Sequence, residues 1–475
     1  GPPSPFGDFI LGGNSVPSLY PSACAVVEVQ GWSPPTQDGN VYLIAQVDPD
    51  NTLVELIESN NTFVGALMGV GFGPDLIITG VTGPASASGS FGGQITVCNQ
   101  GTADASSTMV ELYASADQVI DPIGPGAPGE SDFFVGTTPV PNLPRGVCLT
   151  LPFTGFAPPL TGGAYLAARV DAFDAVDELI DTNNEGFSGL IGFGNGPDLV
   201  VTTLQVPAAI GGGNGFTAQI TVCNQGTQSS PGAPVELYGS ADRVVTPGPG
   251  EDFMIGNTFV DGTEPGQCRT VSINGWGVPL QGEGYVAAVV DPSYFGSNNV
   301  IELIESNNTT FSGVVGFGFG PDLVVTAIAA PASANGPFVA QVTVCNQGTQ
   351  DAPSATVELF ASTDTALSTL PMPAGDFFIG SMNTDYLQAG ACDVVSINGY
   401  PSPQTGAVNL LARVDGPQSV QELIESNNVS APRLIGMGAG PDLVVTSISG
   451  PSSANGSFTV QATVCNQGTL SSPAV

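Results

Sequence analysis

Four times along the chain, a segment of the form ELI(E/D)(S/T)NN gathers two carboxylates and two side-chain amides, with one more aspartate shortly upstream. The sets are Asp48, Glu55, Glu58 and Asn61; Asp171, Glu178, Asp181 and Asn184; Asp291, Glu302, Glu305 and Asn308; and Asp415, Glu422, Glu425 and Asn428. Hard carboxylate and amide oxygens suit Ca²⁺, and the aspartate of the GPD motif that follows could add a ligand at a domain junction. The same residue types also cap turns by bonding their own backbone, which needs no ion. Both readings stand: a calcium site, or a hairpin end held by Asp and Asn caps. Carboxylates at i and i+3 of a strand point to opposite faces, so Glu55 with Glu58 and its counterparts do not form a catalytic pair. No enzymatic activity is expected.

The missing residue types exclude more. The six cations are all arginines; there is no lysine and no histidine. That removes a histidine base or metal ligand, a Schiff-base or phosphate-binding lysine, and a lysine isopeptide crosslink. A net charge of −36 without a basic stripe gives no grip on nucleic acid or on an anionic membrane. No apolar run reaches the roughly 18 residues of a spanning helix, so direct membrane insertion is not expected either. Hydrophobic residues still make up 41%, enough to bury cores.

The segment GxGxGPDL occurs at Gly69, Gly192, Gly316 and Gly436, and its aspartates Asp75, Asp198, Asp322 and Asp442 recur about every 120 residues. It lacks the dinucleotide-loop spacing, and a strand rather than a helix follows it. Alternate glycines on an extended segment bare one face, against which an adjacent domain or a neighbouring chain could dock; the alternative is a flexible linker. The other face would carry Phe72, Phe193, Phe317, Phe319 and Met437. After each GPD comes VCNQGT, and after the first three follow VELY or VELF, a DF pair, a second cysteine and the closing acidic segment. Ser115 to Asp117, Ser240 to Asp242 and Ser362 to Asp364 read as capped turns. Asn60, Asn307, Asn308, Asn428 and Asn455 stand in glycosylation sequons.

This order defines three whole repeats, 73–187, 196–310 and 320–430, between the back half of one (1–63) and the front half of another (440–475). Either the sequence is a window from a longer array, which is favoured, or the halves complete each other between subunits. Short β-branched and aromatic runs bounded by Gly, Pro, Ser and Asn give six or seven strands per repeat. The fold class is all-β, tandem immunoglobulin-like β-sandwiches of about 120 residues. One cysteine pair per repeat implies an oxidising, extracellular or cell-surface setting. The pairs are Cys98–Cys148, Cys223–Cys268 and Cys345–Cys392. Each closes a loop worth about 4 kcal/mol in the chain-entropy account. Cys24 and Cys465 are left for an interchain partner or one outside the window. Trp32, Trp276 and Tyr400 occupy matched positions, a pattern read as packing.

The PDL opening, V-C-N-Q-G-T, V-E-L-Y/F-x-S-x-D and E-x-x-E-x-N-N, in this order and repeated, resemble the CARDB family, the cell-adhesion-related domain of bacterial surface proteins. The resemblance covers essentially the whole chain. It implies non-catalytic immunoglobulin-like sandwiches in tandem on secreted or surface proteins. The regular cysteine pair and the glycine linker depart from the family pattern, so it implies nothing about partner or assembly. The expectation is a structural subunit of an extracellular fibre or stalk that associates with itself, head-to-tail or laterally; the alternative is an adhesin or carbohydrate-binding array.

Overall fold

The computed structural model describes residues 10, 12–16, 27–30, 39–50, 61–121, 132–213, 215–246, 252–277, 279–292, 300–368, 376–400, 404–449 and 461–471. Among these, every regular element is a strand. An antiparallel pair, β1 (Gly39–Gln46) and β2 (Thr62–Val70), precedes the first whole repeat. That repeat holds β3 (Leu76–Thr82), β4 (Ser86–Ala87), β5 (Ser90–Asn99), β6 (Thr108–Ser115), β7 (Phe133–Val140), β8 (Cys148–Phe156), β9 (Gly162–Val170) and β10 (Glu185–Phe193). They build a three-stranded sheet, β3-β5-β8, and a five-stranded sheet, β4-β10-β9-β6-β7. The second and third repeats carry the same two sheets in the same order, and a last antiparallel pair, Leu443–Ser449 with Gln461–Asn466, follows them. There are thus eight strands per repeat, where the sequence suggests six or seven; β4, only two residues long, escapes any periodicity.

Side chains alternate across each strand, and the burial follows. In β8 the residues facing the opposite sheet are covered while their neighbours face water, whereas β9, central in the larger sheet, is buried along nearly its whole length. The first core is built on Leu76, Ile95, Leu112, Leu166 and Phe193. Phe91 meets Phe153 and Phe193 edge-on at 6.0 and 5.7 Å. The second and third repeats have separate cores of the same pattern. One pairing is parallel: β4 lies along the end of β10, with Ser86 opposite Gly192 and Ala87 opposite Phe193.

The disulfides close within the three-stranded sheets. Cys98 at the end of β5 faces Cys148 at the start of β8, and Cys223–Cys268 and Cys345–Cys392 repeat the arrangement. Cys465 is half-buried in the last strand pair; Cys24 lies outside the described residues.

The closing acidic segment differs from expectation. It is no strand: residues 171–184 run as turns between β9 and β10. The backbone N–H of Leu179 donates to the Pro74 carbonyl at 2.9 Å, and Leu303 and Leu423 do the same to Pro197 and Pro321. The segment is thereby drawn across the repeat's opening strand instead of pairing with a neighbour, so strand parity does not decide where its acids point.

Candidate functional site at the repeat junctions

The first aspartate of each acidic set takes a left-handed backbone: Asp48, Asp171, Asp291 and Asp415 have φ between 44° and 51°. A short polar side chain tolerates this region by bonding locally. Asp171 accepts hydrogen bonds from the backbone of Ala175 and Val176 and from Thr108 Oγ1. Asp415 does so from Val420 and Ser419. These carboxylates cap the loop. In the second repeat Val300 N donates to Asp291 Oδ2, but Ala233 stands where Thr108 would, and Asp291 Oδ1 is buried without a partner.

The second acid turns inward. Glu178, Glu302 and Glu422, each 7–8% exposed, accept from the backbone N–H of Leu76, Leu199 and Leu323 at 2.5–2.6 Å. Their other oxygen accepts from Asn184, Asn308 and Asn428. Burial pushes these carboxyls up, to about 7 for Glu178 and about 8 for Glu302 and Glu422. The leucine N–H opposes the rise, and neighbouring carboxylates add to it. The preceding asparagines, Asn183, Asn307 and Asn427, donate at 2.9 Å to the GPD aspartates Asp75, Asp198 and Asp322. Each acid–amide pair thus links the end of a repeat to its beginning. Asp181 and Glu305 lie exposed on the loop rim, and Glu425 is half-buried there. Glu305 and Glu425 turn back to accept from Glu302 N and Glu422 N. Asn61, in the first acidic set, accepts from Val47 N through its carbonyl; Glu55 and Glu58 lie outside the described residues.

The NQGT motif completes this arrangement, a role its recurrence alone does not assign. Asn99 Oδ1 accepts from Asp75 N and Gly101 N, while its amide donates to the Ala103 and Leu143 carbonyls. Thr102 Oγ1 donates to the Gly71 carbonyl at 2.7 Å, as Thr227, Thr349 and Thr469 do to Gly194, Gly318 and Gly438. These four glycines have φ between 105° and 122°, where a Cβ is strained. A signal is present in the sequence: GPDL and NQGT recur together in all four copies.

That turn reorganises the linker. Phe193, Phe317 and Met437 are buried in the core of the preceding sandwich, at 0, 1 and 6% exposure, and Val70 on β2 is 4% exposed, while Phe72 and Phe319 are 82 and 54% exposed. The expectation of one shared aromatic face is therefore corrected: the left-handed glycine between the two positions sends them different ways. The outer glycines receive a leucine from the next repeat. A Cβ on Gly192 would stand 2.8 Å from Leu303 Cβ, and one on Gly316 2.8 Å from Leu423 Cβ; Gly69 meets Leu179 in the same way. Ser86 Oγ bonds the Gln225 carbonyl, and Ser333 Oγ the Gln467 carbonyl, across successive repeats. The segment docks on the adjacent domain.

Three further readings are settled by position. The Ser–Asp loops are capped turns, with Val119, Val244 and Ala366 N–H groups donating to Asp117, Asp242 and Asp364. Asn308 and Asn428 are 6% exposed with their amides committed to Glu302 and Glu422, so these sequons are closed to glycosylation in the folded chain. Trp276 and Tyr400 are 48 and 69% exposed, and Phe156 at the matching place is 69% exposed. They do not pack in the core as their recurrence suggests; Phe156 ends the second-cysteine strand, and Trp276 and Tyr400 directly follow theirs, with Trp276 N and Tyr400 N bonding the Ile255 and Ile379 carbonyls.

The chain belongs to the CARDB family, whose model matches residues 7–65, 73–187, 196–312 and 320–432. Among solved structures it is similar to a CARDB domain from Pyrococcus furiosus in complex with di-metal ions. Identity there is 25%, over 25% of this chain and 93% of that one, with a TM-score of 0.20. A solution structure of a CARDB domain from the same organism matches at 24% identity, over 25% of this chain and 97% of that one, with a TM-score of 0.19. Red sea bream transglutaminase matches at 14% identity, over 51% of this chain and 31% of that one, with a TM-score of 0.27. No curated protein matches. Tandem CARDB sandwiches, each whole one stapled by its own disulfide, make this a surface or structural repeat protein of an oxidising environment.

Proposed function

We propose that the chain is a length-spanning segment of an extracellular fibre or surface stalk, with no catalytic role. The observation that carries this reading is the glycine–leucine contact repeated at successive junctions: Leu179 on Gly69, Leu303 on Gly192 and Gly196, Leu423 on Gly316 and Gly320. A leucine seated on bare backbone fixes how one sandwich follows the next, and repeat arrays gain stability from such nearest-neighbour contacts. A contact of one hand that recurs without closing builds a filament. Electron microscopy of the purified chain tests it. Straight rods with an axial period of one repeat are expected; jointed, freely bending strings would overturn the reading.

A second reading draws on Phe156, Trp276 and Tyr400. Exposed aromatics at one place in successive repeats suit stacking against sugar rings, as an adhesin would use them. Binding to a panel of polysaccharides, lost on Trp276→Ala with Tyr400→Ala, would favour it over the fibre.

A further inference from the structure

We propose that the junction between the second and third repeats holds a divalent cation, calcium by ligand type, between Asp322, Glu425 and Asn427 of the third repeat and Glu283 of the second. Asp322 is fully buried, yet only one of its oxygens has a partner: Oδ1 accepts from Asn427 Nδ2 at 2.9 Å, and Oδ2 has none. Asn427 Oδ1 and Glu425 Oε2 are also buried without partners. A buried oxygen left in this way costs about 1–3 kcal/mol, more when charged, so three in one neighbourhood call for a common partner. Glu283 reaches in from the preceding sandwich, accepting from Ser426 N at 3.2 Å. The charges bearing on Asp322 are those of Glu283 and Glu425, both acidic; with burial first, they push its carboxyl up against the pull of the Asn427 hydrogen bond.

A proton would satisfy one of these oxygens, whereas a hard cation satisfies all of them, with an amide carbonyl among its ligands. In the first repeat the aspartate of the same place is satisfied without an ion, while Asn183 Oδ1 stays buried without a partner. There Gln100 Nε2 donates to Asp75 Oδ2 at 2.9 Å, the shorter Asp181 stands for Glu425, and Asn40 of the preceding partial repeat stands for Glu283. No three acidic side chains among the described residues are already drawn together as a metal centre. The site therefore needs the Asn427 carbonyl, with the exposed Glu283 side chain closing onto the ion. It stands whether or not the array builds a fibre.

The test is calorimetric titration of Ca²⁺ into the chelator-stripped full chain at about 0.15 M salt, where loose counterion binding is screened. Saturable binding is expected. Asp322→Asn should weaken it at least tenfold and Glu283→Gln at least threefold, while Asp75→Asn leaves that affinity unchanged. Absence of saturable heat would overturn the proposal, as would wild-type affinity in both Asp322→Asn and Glu283→Gln. Glu283 is surface-exposed, so its variant decides the matter even if Asp322→Asn fails to fold.

Discussion

Phe317 and Phe319 stand two residues apart in the same linker and meet opposite fates. One is sealed in the core of the second repeat and the other faces water. Strand alternation alone would put both on one face. The left-handed glycine between them, Gly318 at φ 105°, breaks the alternation, and Thr349 holds the break through the Gly318 carbonyl. The first position therefore belongs to the preceding domain and stays large and apolar. The second belongs to solvent and varies freely among Phe72, Asn195, Phe319 and Ala439.

The most forceful way to break this comparison is to truncate both rings. Phe317→Ala should cost the second repeat about 3–5 kcal/mol in urea unfolding, and Phe319→Ala should stay within about 0.5 kcal/mol. Equal losses would show that both rings are core.

The same split between neighbours holds for two acids, Glu302 buried and Glu305 exposed, and pH sharpens it. The folded carboxyls of Glu302 and Glu178 sit at about 8 and about 7, above an ordinary glutamate near 4.3. Folding therefore favours the protonated form. The stability it contributes is complete below about pH 4 and drains away as pH rises through 7 and 8. Each tenfold change in acidity between the folded and unfolded carboxyl is worth about 1.4 kcal/mol, so the loss is on the order of a few kcal/mol. The melting temperature should fall between pH 5 and pH 9. Glu302→Gln should flatten that slope, and Glu305→Gln, which removes a neighbouring charge that adds to the rise, should only lessen it; a slope that Glu302→Gln does not alter would refute the assignment.

A smaller effect belongs to the glycine face. Gly316→Ala would crowd Leu423 and should cost about 1–3 kcal/mol, whereas Gly313→Ala, with open space around it, should be close to neutral. Coupling of Gly316→Ala with Leu423→Ala in a double-mutant cycle would localise the cost to the junction; strict additivity would mean that the two residues share no stabilising contact.

Much of the fold was legible because short β-branched runs and repeated motifs are local signals. The sandwich class and the register of the cysteines followed from spacing alone. Three features were hidden because each depends on contacts distant in sequence. The acidic segment is held out of strand geometry by the bonds of Leu179 to Pro74 and of Glu178 to Leu76, the latter 102 residues away. Asn99 draws its importance from lying against the turn that carries Asp75. Trp276 lies at the surface with its backbone and indole N–H on the Ile255 and Met254 carbonyls, which no recurrence of aromatics encodes.

The parallel pairing of β4 with β10 bears on tension. The chain enters a repeat through β3, which leads into β4, and leaves it at the end of β10, so once β3 is drawn off β5 a pull on the two ends slides β4 past β10. The Gly192–Ala85 and Gly194–Ala87 bonds must then yield together in shear, not one by one as in a zipper. Should they give way, the Cys98–Cys148 link, spanning 50 residues, keeps that stretch from paying out. Under load each sandwich would then lengthen only by the residues that lie outside its covalent loop.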